Sequence, residues 1–299
     1  MAFTEKQQRN GRTYYYRTIS VRDGDSVRKE RRYMGCDLAP EELEDAEREA
    51  DIELGVLGAL LTLEELEFLE GLKQAHAQQP PSTRNNRYEA FVSMFTHDST
   101  AIEGNTLTLQ ETASLLFDGI APGKSLREVN EVLNHKRAFD HLLEYEGDVT
   151  RDLILYLHRL VVKDTLDADL EDQVGALRTV QVYIRGVEWV PAPPEDVPTD
   201  MASLLSWYAK NRDRVHPLVL AIYFHVGFET VHPFVDGNGR VGRLLMNFIL
   251  HRNAYPMVNI PNAQRNRYYD VLQEAQVNGE LRPFIEFIIE LFQGSRISF

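Results

Sequence analysis

The chain has 299 residues, of which 43% are hydrophobic and 26% charged, a composition that is typical of globular proteins and excludes predominant disorder. A net charge of -14 disfavours nucleic acid as the main partner, and the single cysteine, Cys36, excludes an intramolecular disulfide. No apolar run approaches the roughly 20 residues that span a bilayer, and the N-terminus lacks a secretory pattern, so we expect a soluble, cytoplasmic protein with no membrane partner.

The N-terminal segment has the pattern of a β-hairpin. Residues 12–20 and 26–34 are rich in aromatic and β-branched side chains and flank Asp23-Gly24-Asp25, a strong turn signal. Residues 1–35 contain nine basic and four acidic side chains, a net charge of about +5, which leaves the remainder near -19. The hairpin either binds a partner or nucleic acid, or is an edge sheet with a solvated charged face; the second interpretation is favoured.

The rest of the chain has mainly helical periodicity. One helix is expected from Ala39, with Pro40 in its first turn, and another after Thr62. Residues 78–86 form a polar linker with two prolines. Further helices are predicted over 87–98, 108–117, 124–144, 150–165 and 199–211. Residues 180–190 alternate around Arg185-Gly186 and predict a second hairpin.

Chemistry is concentrated in residues 232–243, which read HPFVDGNGRVGR and lie between two apolar helical stretches. A glycine-rich loop that leads into a helix N-terminus is an anion site on physical grounds, because its N–H groups point inward. Asp236 suits Mg²⁺, and Arg240 and Arg243 share a helix face that suits phosphate oxygens. His232 has the proton affinity of a general base. Together these residues predict phosphoryl or nucleotidyl transfer, although the loop lacks the Gly-Lys-Ser/Thr ending of a Walker motif.

This segment resembles the signature of Fic-domain proteins at every specified position. The second hairpin, preceded by Gly175 and Arg178, stands where that family has its target-docking flap. The resemblance implies a mainly α fold, a Fic-type helical bundle with a β-hairpin flap near the active site, to which the small N-terminal β-hairpin is added. We therefore expect an N-terminal basic hairpin over 1–36, a helical segment and linker over 37–84, and a catalytic domain over 85–295.

The resemblance also assigns roles. His232 is expected to deprotonate a Ser, Thr or Tyr hydroxyl of an unknown target protein, or of the chain itself, for attack on the α-phosphate of ATP. Asp236 is expected to hold Mg²⁺. The expected nucleotide-binding residues are Gly237, Asn238, Gly239, Arg240, Arg243, Asn247 and Tyr268, with Tyr269 as an alternative to Tyr268. The expected flap residues are Val182, Tyr183, Ile184, Arg185 and Gly186. Self-association, which is common in the family, stays open.

A second pattern, Ser99-Thr100-Ala101-Ile102-Glu103-Gly104, resembles the inhibitory motif that one class of the family carries before its catalytic residues. The resemblance implies that Glu103, with Ser99, pairs with Arg243 and excludes the γ-phosphate. Related proteins also use this glutamate to remove AMP, so hydrolysis is an alternative activity.

Two other functions compete with transfer. His225, Glu229 and His232 have a spacing that resembles a zinc site, but Pro233 ends the helix there and the His-Glu-x-x-His pattern is absent. His225 is therefore expected to be a core histidine. A non-catalytic nucleotide sensor, acting as an adaptor or transcriptional partner through the basic hairpin, would need the loop and the arginines but not His232.

Overall fold

The computed structural model describes residues 3–9, 11–23, 26–54, 60–184, 190–295 and 299. Contacts between residues divide the chain into two compact units, Met1–Gly71 and Leu72–Phe299. The division into three parts that we expect from the sequence remains a prediction.

The first unit contains a sheet of three antiparallel strands in the order β1-β2-β3. The strands are β1 (Phe3–Arg9), β2 (Arg12–Asp23) and β3 (Ser26–Cys36). The predicted hairpin corresponds to β2 and β3, and its turn residues Gly24 and Asp25 lie outside the described residues. The prediction missed β1, because its sequence, FTEKQQR, has few of the β-branched and aromatic residues that mark a strand.

Helix α1 (Pro40–Glu53) belongs to the same unit and neutralises part of the sheet's positive charge. Arg17 of β2 donates two hydrogen bonds of 2.7 Å to the Asp51 carboxylate, a bidentate ion pair. Arg31 stacks over the Tyr16 ring at 3.7 Å. These arginines are engaged within the unit, which favours the solvated-sheet interpretation over a site for a partner.

The second unit is a helical assembly. Helix α2 (Leu63–Ala77) begins in the first unit, and Thr62 and Glu65 form a reciprocal cap at its start. The later helices are α3 (Arg84–Ile102), α4 (Leu109–Ala113), α5 (Leu126–Glu144), α6 (Arg151–Val161), α7 (Val197–Asn211), α8 (Pro217–Val231), α9 (Asn238–Arg252), α10 (Arg265–Asn278) and α11 (Arg282–Gly294). A π-helical turn, Ser114–Asp118, extends α4, and short 3-10 turns occupy Pro81–Thr83, Ala168–Gln173 and Asn262–Gln264.

Several helix boundaries and the expected flap differ from the sequence prediction. Helix α3 begins at Arg84, so the expected linker is shorter than predicted, and α6 ends at Val161 rather than at residue 165. In the expected flap, residues 180–184 and 190 contain no strand, and residues 185–189 are not described. The alternating sequence there does not produce a strand ladder in the part that the structure describes.

Helix α8 forms the centre of the second unit. It is apolar nearly all round, and most of its side chains are buried. It packs against α7, α9, α10 and α11. Helix α9 is buried from Val241 to Leu250. The loop between α8 and α9 therefore rests on a rigid base. Within the described ranges, no helix combines the length and apolar character needed to cross a membrane.

Candidate active site

The loop that joins α8 to α9 carries the predicted site residues. His232 ends α8 in the left-handed conformation, with φ of 48°, and Gly237 precedes α9 with φ of 83°. Left-handed backbone is rare for residues other than glycine, so His232 is a position where the main chain itself is specialised. The loop is therefore a sharp turn between two buried helices.

Asn238 and His158 hold this loop in shape. The Asn238 side chain exchanges two hydrogen bonds with the main chain of Phe234, at 2.9 and 2.8 Å. The His158 ring stacks on the buried Phe234 ring with a centroid separation of 3.7 Å. The Gly175 N–H donates to His158 Nδ1 (3.0 Å), so Nε2 carries the proton and donates to the Asp236 carbonyl (3.1 Å). Asn238 thus acts through its side chain as a brace of the loop.

The His232 side chain is half-buried, with its Nδ1 atom turned inward, 3.8 Å from Glu229 Oε2. Burial lowers the pKa of His232 to about 4, although a hydrogen bond with the Glu229 main chain opposes the shift. Burial also raises the pKa of Glu229 to about 8. At neutral pH the imidazole is neutral, which is the form a general base requires, and Nε2 is its available acceptor.

The two arginines that follow the loop, in the first turns of α9, are buried and incompletely paired. Arg240 is 2% exposed and Arg243 1%. Arg240 Nε and Nη1 and Arg243 Nη1 have no hydrogen-bond partner within the described chain. Buried guanidinium donors without partners are costly, and a phosphate oxygen would satisfy them. These orphan donors fit an anionic ligand.

Asp236 is suited to a cation. Its Oδ1 accepts hydrogen bonds from the Gly237 N–H (2.6 Å) and Arg240 (3.0 Å), while Oδ2 lies 3.7 Å from Arg127. Burial opposes ionisation, but Arg240 and the Gly237 N–H hold the pKa of Asp236 below its usual value. The group is an ionised, partly exposed carboxylate with one oxygen to spare. That fits Mg²⁺, which binds one or two carboxylates together with substrate phosphates.

Glu103 occupies the position expected of an inhibitor. Its Oε1 accepts a hydrogen bond of 2.7 Å from Arg243 Nη2. Arg243 also donates to the Ser99 hydroxyl through Nε (3.1 Å) and to the Ser99 carbonyl through Nη2 (2.8 Å), so the end of α3 holds one edge of this guanidinium. Burial alone would lower the pKa of Arg243, but Glu103 and Tyr268 raise it, and the net shift is upward. Arg243 is therefore a permanent cation held by Glu103.

A cavity of about 670 Å³ connects His232, Glu103 and Arg243. It is lined by Glu103, Glu229, His232, Gly239 and Arg243, by Ile184 of the expected flap, and by Arg265, Asn266, Tyr268, Tyr269, Asp270, Leu272, Gln273, Gln276 and Val277 of α10. Its size is within the range of small-molecule and cofactor sites. The general base and the anion site thus share one chamber.

The two residues expected to reach a nucleoside differ in placement. Tyr268 lines the cavity, but its hydroxyl is engaged with His225 Nε2 at 2.9 Å. Asn247 is 1% exposed, and its amide makes hydrogen bonds with the main chain of Arg243 and Val258. Its amide is thus engaged with the main chain, and its expected nucleoside contact stays a prediction.

Only part of the expected flap can be placed. Ile184 lines the cavity, and the Tyr183 side chain is 77% exposed. Val182, which precedes both in the sequence, is half-buried. Arg185 and Gly186 lie outside the described residues. The described residues place one end of the segment beside the general base.

Three supporting residues were missed or undervalued in the sequence: His158, Glu229 and Arg178. His158 and Glu229 carry no local motif, and only the fold brings them to the loop. Glu229 was considered as a zinc ligand, but His225 pairs with Tyr268 instead. Among the described residues, no group of three or more His, Cys, Asp or Glu side chains is arranged to hold a metal ion.

Comparison with known proteins decides the family. Residues 148–250 match the model of the Fic/DOC family. Residues 148–250 of this chain are a Fic domain. The Fic domain as matched includes α6, the expected flap, α8, the catalytic loop and α9, which are the elements that build the site.

Individual relatives agree with this assignment. The chain is 34% identical to "Protein adenylyltransferase Fic" of Drosophila yakuba over 96% of its length and 55% of that protein's. Fic-1 from C. elegans has a TM-score of 0.69 and 28% identity, covering 86% of this chain and 76% of that one. A Fic-domain signaling protein from Bacteroides thetaiotaomicron has a TM-score of 0.68, with 28% identity over 76% of this chain and 92% of that one. The chain spans about half the length of the curated relatives it matches.

Proposed function

We propose that this Fic-domain protein transfers AMP from ATP to a Ser, Thr or Tyr hydroxyl of a protein. The observation that carries the proposal is the shared cavity, in which a neutral, half-buried His232 lies with a buried Arg243 that has an unpaired donor. The curated relatives are named protein adenylyltransferases, which supports the same chemistry.

In the proposed reaction, His232 Nε2 accepts the proton of the target hydroxyl as its oxygen attacks the α-phosphorus. The bond from that phosphorus to the bridging oxygen breaks, and pyrophosphate leaves. Arg240 and Arg243 bind phosphate oxygens through their orphan donors. Asp236 holds Mg²⁺, which neutralises phosphate charge when bound. The N-terminus of α9, at Gly239, presents the positive end of the helix dipole to the same anion.

Glu103 is proposed to inhibit this transfer. Its carboxylate takes the Arg243 Nη2 donor that a terminal phosphate needs, so ATP binds in an unproductive pose while the ion pair persists. Ser99 supports the inhibited state, because it holds the same guanidinium through its hydroxyl and carbonyl. Release of Glu103 frees the donor for the nucleotide.

The decisive experiment is incubation with α-labelled ATP and Mg²⁺ of wild type, Glu103→Gly and Glu103→Gly/His232→Ala, followed by intact mass. We expect Glu103→Gly to gain the mass of AMP at least about tenfold faster than wild type, a change of about 1.4 kcal/mol in the barrier. The double variant should gain none. An ATP analogue with a methylene bridge between the α- and β-phosphates serves as the control, because it binds but cannot transfer.

If every variant binds ATP and none is modified, even with added cell protein, the transferase proposal fails. A nucleotide sensor would then be the remaining function. Salt-dependent binding of DNA by the N-terminal unit within the full chain would favour it further.

Removal of AMP is a second candidate, because the Glu103 carboxylate lies in the same cavity as His232. A carboxylate there is placed to orient water toward an AMP group on a bound protein. Glu103→Gly protein that has modified itself with labelled AMP, freed of nucleotide and added to wild type, would release AMP if this activity exists, and added Glu103→Gln enzyme would not release it. The cytoplasmic location stays a prediction.

A further inference from the structure

A buried arginine outside the signature motif joins the expected flap to the catalytic loop. Arg178 is 2% exposed. Its guanidinium donates to the His232 carbonyl through Nε (2.8 Å), to the Val180 carbonyl through Nη1 (3.1 Å) and to the Ala192 carbonyl through Nη2 (2.6 Å). All three of these acceptors are main-chain oxygens. The side chain thus recognises the course of the backbone rather than another side chain.

One of those carbonyls belongs to the general base. His232 has a left-handed backbone, which a residue with a Cβ rarely adopts and which needs support from its surroundings. Arg178 supplies that support twice, because its own N–H donates to the next carbonyl, that of Pro233 (2.9 Å). The direction in which the imidazole leaves the main chain is therefore set partly by Arg178.

The other two carbonyls belong to the two ends of the expected flap. Val180 precedes the flap residues in the sequence and Ala192 follows them, and the carbonyls of both accept hydrogen bonds from the same guanidinium. Gln181 adds a second link between the ends, since its Nε2 donates to the carbonyls of Val182 (3.1 Å) and Pro191 (2.9 Å). No strand is formed in the described part of this segment. The side chains of Arg178 and Gln181 hold its two ends together instead.

We propose that Arg178 is a positioning residue that couples the flap to His232, so that a polypeptide docked on the flap meets the imidazole in a fixed geometry. The inference rests on the proposed function, because it takes the flap as the surface that receives the target. It adds a residue that lies outside the signature motif and acts through the main chain.

The chemistry of the side chain explains why arginine is used here. A guanidinium is a planar fork whose N–H groups point in several fixed directions, and it stays charged when buried. A lysine ammonium is a compact group on a flexible stem and cannot reach three divergent carbonyls from one position. Arg178→Lys therefore keeps the charge but loses the geometry, whereas Arg178→Gln loses both.

Gln181 provides a matched control. It joins the two ends of the flap as Arg178 does, and within the described residues its side-chain hydrogen bonds go to Val182 and Pro191 rather than to the catalytic loop. An effect that Arg178 variants show and Gln181→Ala lacks therefore reports the link to His232 rather than the closure of the flap. Thermal unfolding of each variant shows whether it is folded, and Arg178→Lys replaces Arg178→Gln if the latter is not.

The test is made in the full-length Glu103→Gly protein with three readouts. These are the rate of auto-modification with ATP, the Kd for the methylene-bridged ATP analogue, and the pKa of His232 followed by NMR of the imidazole. We expect Arg178→Gln to slow modification at least about 30-fold while the Kd changes less than about twofold, because the phosphate donors are untouched. In Arg178→Gln the pKa of His232, which burial lowers most and the Arg178 cation lowers further, should rise. With Gln181→Ala that pKa should stay where it is.

The inference is overturned if Arg178→Gln modifies itself within twofold of its parent, or if rate and analogue affinity fall together as in general unfolding. An unchanged His232 pKa in folded Arg178→Gln protein would overturn it as well. If the Glu103→Gly parent transfers no AMP, the proposed function fails by itself. The NMR titration, which needs no turnover, then still decides whether Arg178 acts on His232.

Discussion

The carboxylate of Glu103 lies directly over the Cα of Gly239. A Cβ added to Gly239 would be 2.2 Å from Glu103 Oε1 and 2.9 Å from Arg243 Nη1. The absence of a side chain at residue 239 therefore gives both the inhibitor and any phosphate access to Arg243.

Gly239→Ala should consequently release Glu103 without activating the protein. The added methyl expels the carboxylate but also fills the space over Arg243, so we expect Glu103→Gly/Gly239→Ala to modify itself at least about tenfold more slowly than Glu103→Gly, a change of about 1.4 kcal/mol. Gly239 lies in the first turn of α9, where alanine is well tolerated, so the fold should persist. Rates from labelled ATP test this, and equal rates in the two variants would contradict it.

Glu103→Gly should also change stability in a way that depends on nucleotide. Removing Glu103 leaves the buried Arg243 cation without its carboxylate, which lowers the melting temperature of the free protein. Phosphate can replace that carboxylate, so ATP with Mg²⁺ should raise the Tm of Glu103→Gly more than that of wild type. Thermal unfolding with the methylene-bridged analogue measures both effects, and equal shifts in the two proteins would exclude competition for Arg243.

The low pKa of His232 predicts an unusual pH profile for transfer. Burial lowers that pKa to about 4, so the imidazole stays neutral well below the ordinary histidine value of roughly 6.5. We expect the rate of Glu103→Gly to stay level from pH 8 to pH 5.5 and to fall only at lower pH. A fall centred near pH 6.5 would show that His232 is not held in a buried, neutral state.

The sequence predicted the helices well because their signals are local. Proline and capping residues mark their starts, and apolar periodicity follows, as at Thr108 with Glu111 and at Ser125 with Glu128. The HPFVDGNGRVGR segment was also predicted to join two helices, and it does. Strand β1 was missed because Phe3–Arg9 forms a strand through its pairing with β2 rather than through its own composition.

Long-range contacts explain what the sequence left out of the site. His158 reaches the loop from α6, and Arg178 reaches it from the segment before the flap. Neither contact has a spacing that periodicity reveals. Asn247 shows the converse, since it lies one turn after Arg243 but its amide is used by Val258. Residues one turn apart on a helix share a face, and the packing of the rest of the chain then decides what that face contacts.

His158 should make the protein sensitive to acid. Burial lowers its pKa to about 4, so between about pH 4 and 6.5 the unfolded chain binds a proton at His158 that the folded chain does not. Stability is then fully present above pH 6.5 and falls as the pH decreases, by about 2 kcal/mol from this residue at pH 5. Urea unfolding at pH 7 and pH 5 should show a smaller difference for His158→Gln than for wild type. An equal difference would contradict the assignment.

Asp98 should control how firmly α3 is held. Burial opposes its ionisation, but hydrogen bonds from His97, from the Asn259 side chain (2.6 Å) and from the Asn262 N–H (3.1 Å) keep its pKa low. Asp98→Ala should cost about 2 kcal/mol in the free energy of unfolding, because it leaves these donors unpaired.

Asp98 directly precedes Ser99, so the same change should weaken the hold on Arg243 and increase auto-modification above that of wild type. Glu89→Ala, an exposed position on α3, is the control and should change neither stability nor rate. A destabilised Asp98→Ala protein with the wild-type rate would show that the anchoring of α3 and the inhibition by Glu103 are independent.

The closure of the flap by Arg178 and Gln181 has a consequence for how this scaffold can be altered. A loop closed by cross-strand pairs must keep its register, and therefore its length and alternation, to keep its shape. Here the described ends are held by side chains that bind main-chain carbonyls, so the residues between them carry no such constraint from the base. We therefore expect that segments of other lengths and sequences can be grafted between these two ends while the general base keeps its place.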